Sequence, residues 1–494
     1  MSEKSPNCDV LVVGAGTAGL TAAIAARERG ASVILLEPST AAERGGNSRY
    51  ASAVFRAAHN GVEDLRHLVT PDQGVVWDRV RHDHYPAESF VADVKGAASS
   101  EHVDEALVSA FVARSLDTLS WLGERGVVWR LVTRPGDPQG PVRLPRGGEL
   151  IVEGNGVGLV EALFATAERA GIDIRYNTRA TDLVDLEGEI RGAVVESTGT
   201  RAELRARSTV LAAGGFEADA AARAEHLGAA WADARVRGTG FNTGTMLYRA
   251  LAHGAAAKGD WSAAHAVPID TAAPSVGDLA IGDSTARYSF SFGILVNADG
   301  RRFLDEGADE WPFLYSELGR RILAEPGGIA FQIFDESSAA LLEPRYATAE
   351  PVFARTVAEL ATGIGVDPRH LNRTIEDFNA SCPDGAFDPG ALDGLRAEPL
   401  GQPPKSNWAT PLTALPLRAY PVTCGITFTT GGGLSADENG RVLARNGAPV
   451  PGLFAAGEIL GGYFRSTVPT GAGLMRSATM GRAAGESAAA RSSS

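Results

Sequence analysis

The stretch Asp9-Val10-Leu11-Val12-Val13-Gly14-Ala15-Gly16-Thr17-Ala18-Gly19-Leu20 decides the fold. Its first five residues form an apolar, β-branched run of the kind expected for a parallel strand buried on both faces. A tight turn follows, 20–29 has helical composition, Gly30 ends it, and Ala31-Ser32-Val33-Ile34-Leu35-Leu36 is a second buried strand closing on Glu37 and Pro38. Strand, turn, helix and strand make one complete βαβ unit. Gly14 permits the turn, and Gly16 lets backbone N–H groups approach a pyrophosphate at the positive end of the helix, with Ala15, Thr17 and Ala18 completing the loop. Gly19 lets helix and strand pack closely. Glu37 lies a little over 20 residues on, where a carboxylate accepts from ribose hydroxyls and a 2′-phosphate would be repelled. The expected ligand is a dinucleotide with an unphosphorylated adenosine ribose.

The chain has 494 residues, enough for two or three packed regions, and 58 of them are glycine, well above the usual share of about 7%. Glycine in excess, without a collagen period, marks many places where backbone turns tightly or approaches something closely. Lys plus Arg is 46 against 60 for Asp plus Glu, giving a formal charge of −14 spread along the chain, so nucleic acid is a poor partner. Cys8, Cys382 and Cys424 form no C-x-x-C, which leaves no zinc knuckle, iron–sulfur cluster or redox dithiol and fits a reducing cytoplasm. No run of about 18 apolar residues predicts a transmembrane segment, and the N-terminus enters the first strand without a signal-peptide pattern. The small polar tail AAARSSS predicts a frayed end. His67, His82, His84 and His102 fit no metal-ligand spacing, so no metal is expected.

Further small-residue loops fall at intervals along the chain. Glu43-Arg44-Gly45-Gly46-Asn47-Ser48 follows the second strand, Ala213-Gly214-Gly215-Phe216 closes another apolar run, and Gly452-Leu453-Phe454-Ala455-Ala456 ends on Gly457-Glu458. Thr470-Gly471-Ala472-Gly473-Leu474 opens a C-terminal helix over 475–490. The start of that helix would favour negative charge on a bound ring. Glu153-Gly154-Asn155-Gly156-Val157-Gly158 lacks the completing glycine and is read as a helix start, so no second nucleotide-binding domain is expected.

These blocks, together with Arg237-Gly238-Thr239, Phe241-Asn242-Thr243-Gly244, Phe292-Gly293-Ile294, Val296-Asn297, Lys405-Ser406-Asn407-Trp408 and Thr423-Cys424-Gly425-Ile426-Thr427-Phe428-Thr429, run in order over nearly the whole chain. In this the sequence resembles the fumarate reductase and succinate dehydrogenase flavoprotein superfamily, and within it the FAD-dependent tricarballylate dehydrogenase group. The resemblance implies an α/β fold: a discontinuous Rossmann-type FAD-binding domain over 1–260 and 425–494, with an inserted α+β capping domain over 261–424. Residues 61–145 are expected to form a helical excursion. The resemblance also implies FAD, held noncovalently because no histidine flanks Gly46-Asn47-Ser48. Its expected contacts are Gly14 to Gly19, Glu37, Pro38, Gly45 to Ser48, Ala180, Ala213, Gly214, Gly457, Glu458, Gly471, Gly473 and Leu474.

Desaturating a carbon chain beside a carboxylate or carbonyl requires a base for the Cα proton, a hydride acceptor and positive groups for the developing enolate charge. The resemblance implies a substrate-binding histidine at His265. It also exposes departures: no arginine follows Asp305-Glu306 within Gly307-Ala308-Asp309-Glu310-Trp311, Phe428 stands where relatives place a second histidine, and Val468 replaces an arginine. Arg56, Arg287 and Arg465 remain as candidate cations, and Tyr288 as a phenolic acid or base. Glu310 and Trp311 point to a substrate less anionic than the family norm, or partly cationic or aromatic. The expected activity is FAD-dependent dehydrogenation of a C–C bond next to a carboxylate or carbonyl of a small molecule, with an external electron acceptor or oxygen as partner. The alternatives are alkene reduction, oxygen-using oxidase or hydroxylase chemistry, and a non-enzymatic electron-relay subunit.

Overall fold

A computed structural model describes residues 6–82, 84–96, 102–134, 140–429, 431–465 and 468–492. The expected βαβ unit is formed by Cys8–Val13, Thr17–Glu28 and Val33–Leu36. The two strands pair in parallel and extend into a sheet ordered Arg441–Leu443, Pro449–Ala455, Thr200–Leu211, Cys8–Val13, Val33–Leu36, Asp173–Arg175. Val10, Leu11 and Val12 are fully buried, as a strand covered on both faces requires. Strands Thr178–Leu186 and Glu189–Ser197 continue antiparallel from Thr200–Leu211.

Helix Thr17–Glu28 is almost all small residues and lies against the C-terminal helix Ala472–Ser492. The close approach has a cause. A Cβ added at Gly485 would be driven into the Ala22 carbonyl, and one at Gly481 into Ala18. The C-terminal helix runs on to Ser492, which is buried and donates to Asp9 O at 3.2 Å, so the frayed tail expected at its end is corrected up to that residue. Ser493 and Ser494 lie outside the described residues, as do the first five residues and Ser466-Thr467 of the final loop.

A second, six-stranded sheet is organised around the long strand Leu417–Thr429, which pairs with Arg235–Val236, Ala264–Asp270, Ile329–Phe334 and Val352–Ala354, while Ile294–Asn297 forms the far edge. Helix Trp311–Leu323 packs on Ala264–Asp270 and on the long strand, and Val357–Ile364 packs on Pro368–Ser381. The result is the mixed α/β architecture of a nucleotide-binding domain with a capping domain. Arg235–Val236 already belongs to the second sheet, ahead of residue 261. The 61–145 region is more mixed than a helical excursion. It contains helices Val62–Arg66, Ala87–Lys95, Glu105–Ala113 and Ser115–Glu124, but Trp129–Leu131 and Leu150–Val152 build a small sheet with Val54–Phe55. Among the described residues no helix is long and apolar enough to cross a membrane.

Candidate active site

An open cleft lies where the parallel strands Cys8–Val13, Val33–Leu36 and Pro449–Ala455 end, the position at which open α/β sheets hold ligands. Val13 to Ala18, Glu37, Pro38, Gly46 to Ser48, Ala180, Ala213, Gly214, Gly457, Glu458, Gly473 and Leu474 line it. Gly19, Gly45 and Gly471 do not. They are packing glycines, where a Cβ would strike Gly14 O, the Val160 side chain and the Phe55 backbone respectively.

Gly14 adopts φ +99, and a Cβ there would run into the Ala212 carbonyl, so the turn is closed to any other side chain. Ser48 Oγ accepts from Thr17 N at 3.0 Å and bonds Thr17 Oγ1 at 2.8 Å, fixing the Gly-Gly-Asn-Ser loop to the helix start. Glu37 is buried and accepts from Ser39 N at 3.0 Å and Gly45 N at 3.3 Å. Burial raises its pKa against those hydrogen bonds.

Two further acids lie here, Glu458 in the cleft wall and Glu217 behind the wall residues Asn47 and Asn242. Glu217, fully buried, accepts from Asn47 Nδ2 at 2.7 Å and Asn242 Nδ2 at 2.6 Å, and burial pushes its carboxyl up to about 7. Glu458 accepts from Arg476 Nη2 at 2.8 Å, and burial pushes it up to about 8. Among the described residues, Glu458 Oε1 and Arg476 Nε and Nη1 are buried with no hydrogen-bond partner. Both residues line the cleft. Orphaned donors and acceptors of this kind fit a polar cofactor passing along the wall. The glycine turn fits its pyrophosphate and Glu37 its adenosine ribose.

The capping domain contributes a run of rings that starts at this cleft, Phe428 and His265 from its sheet and Tyr315 and Trp311 from helix Trp311–Leu323, with Tyr288 between them. Phe428, at the end of the long strand, lines the cleft and stacks on His265 with centroids 4.5 Å apart and planes within 5°. His265 meets the edge of Tyr315 at 5.0 Å, Tyr315 meets Tyr288 at 4.9 Å, and Tyr288 stacks on Trp311 at 5.3 Å. The ladder register slips between His265 and Ala266, the bulge that re-aims a side chain. Burial, with a smaller push from Arg237, holds the His265 pKa well below its usual value, so its ring is neutral, and its buried Nδ1 has no partner among the described residues. Burial likewise raises Tyr288, and pushes Tyr315 up to about 12 although Tyr315 bonds Thr470.

His265 and Tyr288 therefore meet in one cluster, but the three candidate arginines do not join them. Arg56 is fully buried and its guanidinium is committed to Glu149 at 2.6 Å, Thr470 O at 2.9 Å and Arg146 O at 2.5 Å. Arg287 donates to Asp270 Oδ2 at 2.9 Å, Ser284 O at 2.7 Å and Ala286 O at 2.9 Å. Arg465 is partly exposed and pairs with Asp260 at 3.4 Å. The ion pairs of Arg56 and Arg287 lie in the interior. Glu310 pairs with Arg134. Sequence reasoning missed Arg237, Tyr315, Phe428 as a cleft residue, and Glu217. Arg237 and Glu217 stand beside apolar strands and glycine turns, and a charged residue placed there was the available signal.

A glycine turn at a helix start, a buried acid after the second strand and a capping sheet over the cleft define an FAD-dependent oxidoreductase of the flavoprotein type. The chain belongs to the family described as FAD binding domain, whose model matches residues 9–473. It is 29% identical to a probable fumarate reductase, Ifc3, of Shewanella frigidimarina, over 98% of this chain and 75% of that protein. It is 26% identical to an NADH:acrylate oxidoreductase of Vibrio harveyi, over 97% of this chain but 50% of that longer protein. Among solved structures, 3-ketosteroid-Δ4-(5α)-dehydrogenase from Rhodococcus jostii RHA1, in complex with 4-androstene-3,17-dione, matches with a TM-score of 0.73 and 25% identity, over 99% of this chain and 98% of that one. The protein is thus a flavoprotein oxidoreductase of the fumarate reductase and succinate dehydrogenase superfamily, acting on CH–CH groups with FAD.

Proposed function

We propose that this enzyme dehydrogenates a C–C bond adjacent to a carbonyl or carboxylate of a small, cyclic or aromatic-bearing organic substrate. The observation that carries this reading is the aromatic run that begins with Phe428 at the cleft and continues behind it through His265, Tyr315, Tyr288 and Trp311, where a tricarboxylate would need about two or three cations. FAD, when bound, supplies the hydride acceptor. The chain's residues do the rest. Phe428, the ring that reaches the cleft, offers a flat substrate an apolar face, and the rings packed behind it keep water out. The likeness to a 3-ketosteroid dehydrogenase supports the dehydrogenating direction, and the tricarballylate dehydrogenase group expected from the sequence is part of the proposal only as to that direction. Alkene reduction, the same chemistry reversed, is the second reading, favoured by the likeness to a probable fumarate reductase and to an acrylate oxidoreductase.

Noncovalent attachment is part of the proposal, supported by a cleft lining that, among the described residues, contains neither histidine nor cysteine. So are an external acceptor or oxygen as the second partner and a cytoplasmic location, the latter supported by three cysteines that are all free. Anaerobic titration of the purified protein with cyclic ketones and acids tests the reading. Bleaching of the flavin spectrum is expected, and no bleaching by any activated ketone or acid overturns it. Reoxidation of a dithionite-reduced sample by the matching alkenes would move the assignment to the reductase direction.

A further inference from the structure

Among the cations near the aromatic run, one is built differently from the candidates read from sequence. Arg237 follows the edge strand Arg235–Val236, and its side chain is 9% exposed. Its Nε donates to Thr427 Oγ1 at 3.2 Å and its Nη1 to Asp283, while Nη2 makes no hydrogen bond among the described residues. Thr427 lines the cleft beside Phe428, so the guanidinium is anchored directly to the cleft wall. It is also the cation whose field reaches His265, Tyr288 and Tyr315 together.

Asp283 is shared. Arg345 Nη1 reaches its other oxygen at 2.6 Å, and Arg345 in turn holds Glu343 at 3.0 and 3.1 Å and lies 4.4 Å over the Tyr288 ring. Two arginines thus face two carboxylates, and the cluster is charge-balanced before any substrate arrives. A carboxylate entering it would be a third anion in a largely desolvated place, which is costly. A neutral carbonyl oxygen needs a donor and no counter-charge. The spare Nη2 is that donor.

Resting on the function proposed above, we infer that Arg237 anchors the oxygen of an uncharged ketone, and that the Arg237–Asp283–Arg345–Glu343 cluster selects ketones over carboxylates. When the α C–H bond breaks heterolytically, the proton leaves to the base and the electron pair moves toward the carbonyl oxygen. A fixed cation beside that oxygen stabilises the charge where it develops. Arg237 then acts more strongly on the transition state than on the ground state, which lowers kcat as well as binding when it is removed.

The experiment uses the FAD-loaded protein and three probes of one shape: 2-cyclohexenone, 1-cyclohexenecarboxylate and 2-cyclohexenol, their binding read as a perturbation of the flavin spectrum. Wild type is expected to bind the ketone at least tenfold tighter than the other two. Arg237→Ala, with FAD content measured, should lose roughly ten- to hundredfold in ketone affinity, the range for one hydrogen bond to a charged group, and with it the preference over the alcohol. Asp283→Asn leaves the cluster one positive charge in excess. It should raise carboxylate affinity tenfold or more. A wild-type preference for the carboxylate, or a ketone preference that survives in Arg237→Ala, overturns the inference while leaving the proposed reaction intact. If Arg237→Ala loses FAD, Asp283→Asn decides, and no gain in carboxylate binding overturns it. A wild-type protein that neither binds nor turns over any carbonyl compound overturns the proposed reaction itself.

Discussion

At the scale of single residues, the most consequential feature is acid held where it is costly to ionise. Glu217 has its pKa raised by burial from an ordinary 4.5 to about 7, so the folded state retains its proton over a range in which the unfolded chain has released it. Its stabilising contribution is full below pH 4.5 and fades as pH rises toward 7. Glu217→Gln keeps an acceptor for Asn47 and Asn242 without that penalty. The expected outcome is a melting-temperature gap in favour of Glu217→Gln that opens between about pH 4.5 and 7 and stays level above, measured on the FAD-free protein. A gap independent of pH would contradict it. Gly14 carries a second residue-scale expectation: Gly14→Val forces a side chain into the Ala212 carbonyl, and the purified protein should be colourless.

Much of the cofactor cradle was legible at this scale because its residues are consecutive. Gly14 to Ala18 and Glu37 follow from a spacing rule whose elements lie side by side in the chain, and Gly46 to Ser48 from the small-residue loop that the family resemblance implies at the cofactor. The substrate face was not legible in the same way. Arg56 and Arg287 look in sequence like any other candidates, and only the three-dimensional placement of Glu149 and Asp270 reveals that their guanidinium groups are already committed. Arg237 and Asp283 lie 46 positions apart, and no spacing rule joins them.

At the scale of elements, the Ala-rich helix Thr17–Glu28 and the C-terminal helix Ala472–Ser492 owe their contact to what is missing from their surfaces. Gly481 and Gly485 let backbone meet backbone, and the same contact sets the C-terminal helix, whose N-terminal residues Gly473 and Leu474 line the cleft, against the glycine turn. Gly485→Leu overpacks that seam. It should cost about 1–3 kcal/mol in urea unfolding of the FAD-loaded protein, the ordinary range for added methylenes in a filled core. Within the same helix, Ala490→Leu at an exposed position serves as the comparison and is expected to be close to neutral.

At the scale of the whole molecule, stability and cofactor content are one quantity. Binding to the native state alone adds about 2.7 kcal/mol at a hundredfold excess over the dissociation constant, so the unfolding temperature should climb with added FAD. Gly14→Val should remove that dependence and leave the remaining transition in place. A wild-type transition indifferent to FAD would mean that the cleft is not where the cofactor's free energy is coupled to folding.

The long strand Leu417–Thr429 makes this coupling mechanical. Its 13 residues, about 40 Å when extended, carry the partner strands of the capping sheet along one part and Thr427 and Phe428 of the cleft wall at one end. A rigid rod fixed in two bodies transmits displacement between them. Tightening the cleft around its cofactor should therefore slow amide hydrogen exchange at the remote end, around Leu417 to Tyr420, in residues that touch nothing bound. The cap, on this view, senses occupancy through a shared beam rather than through the substrate.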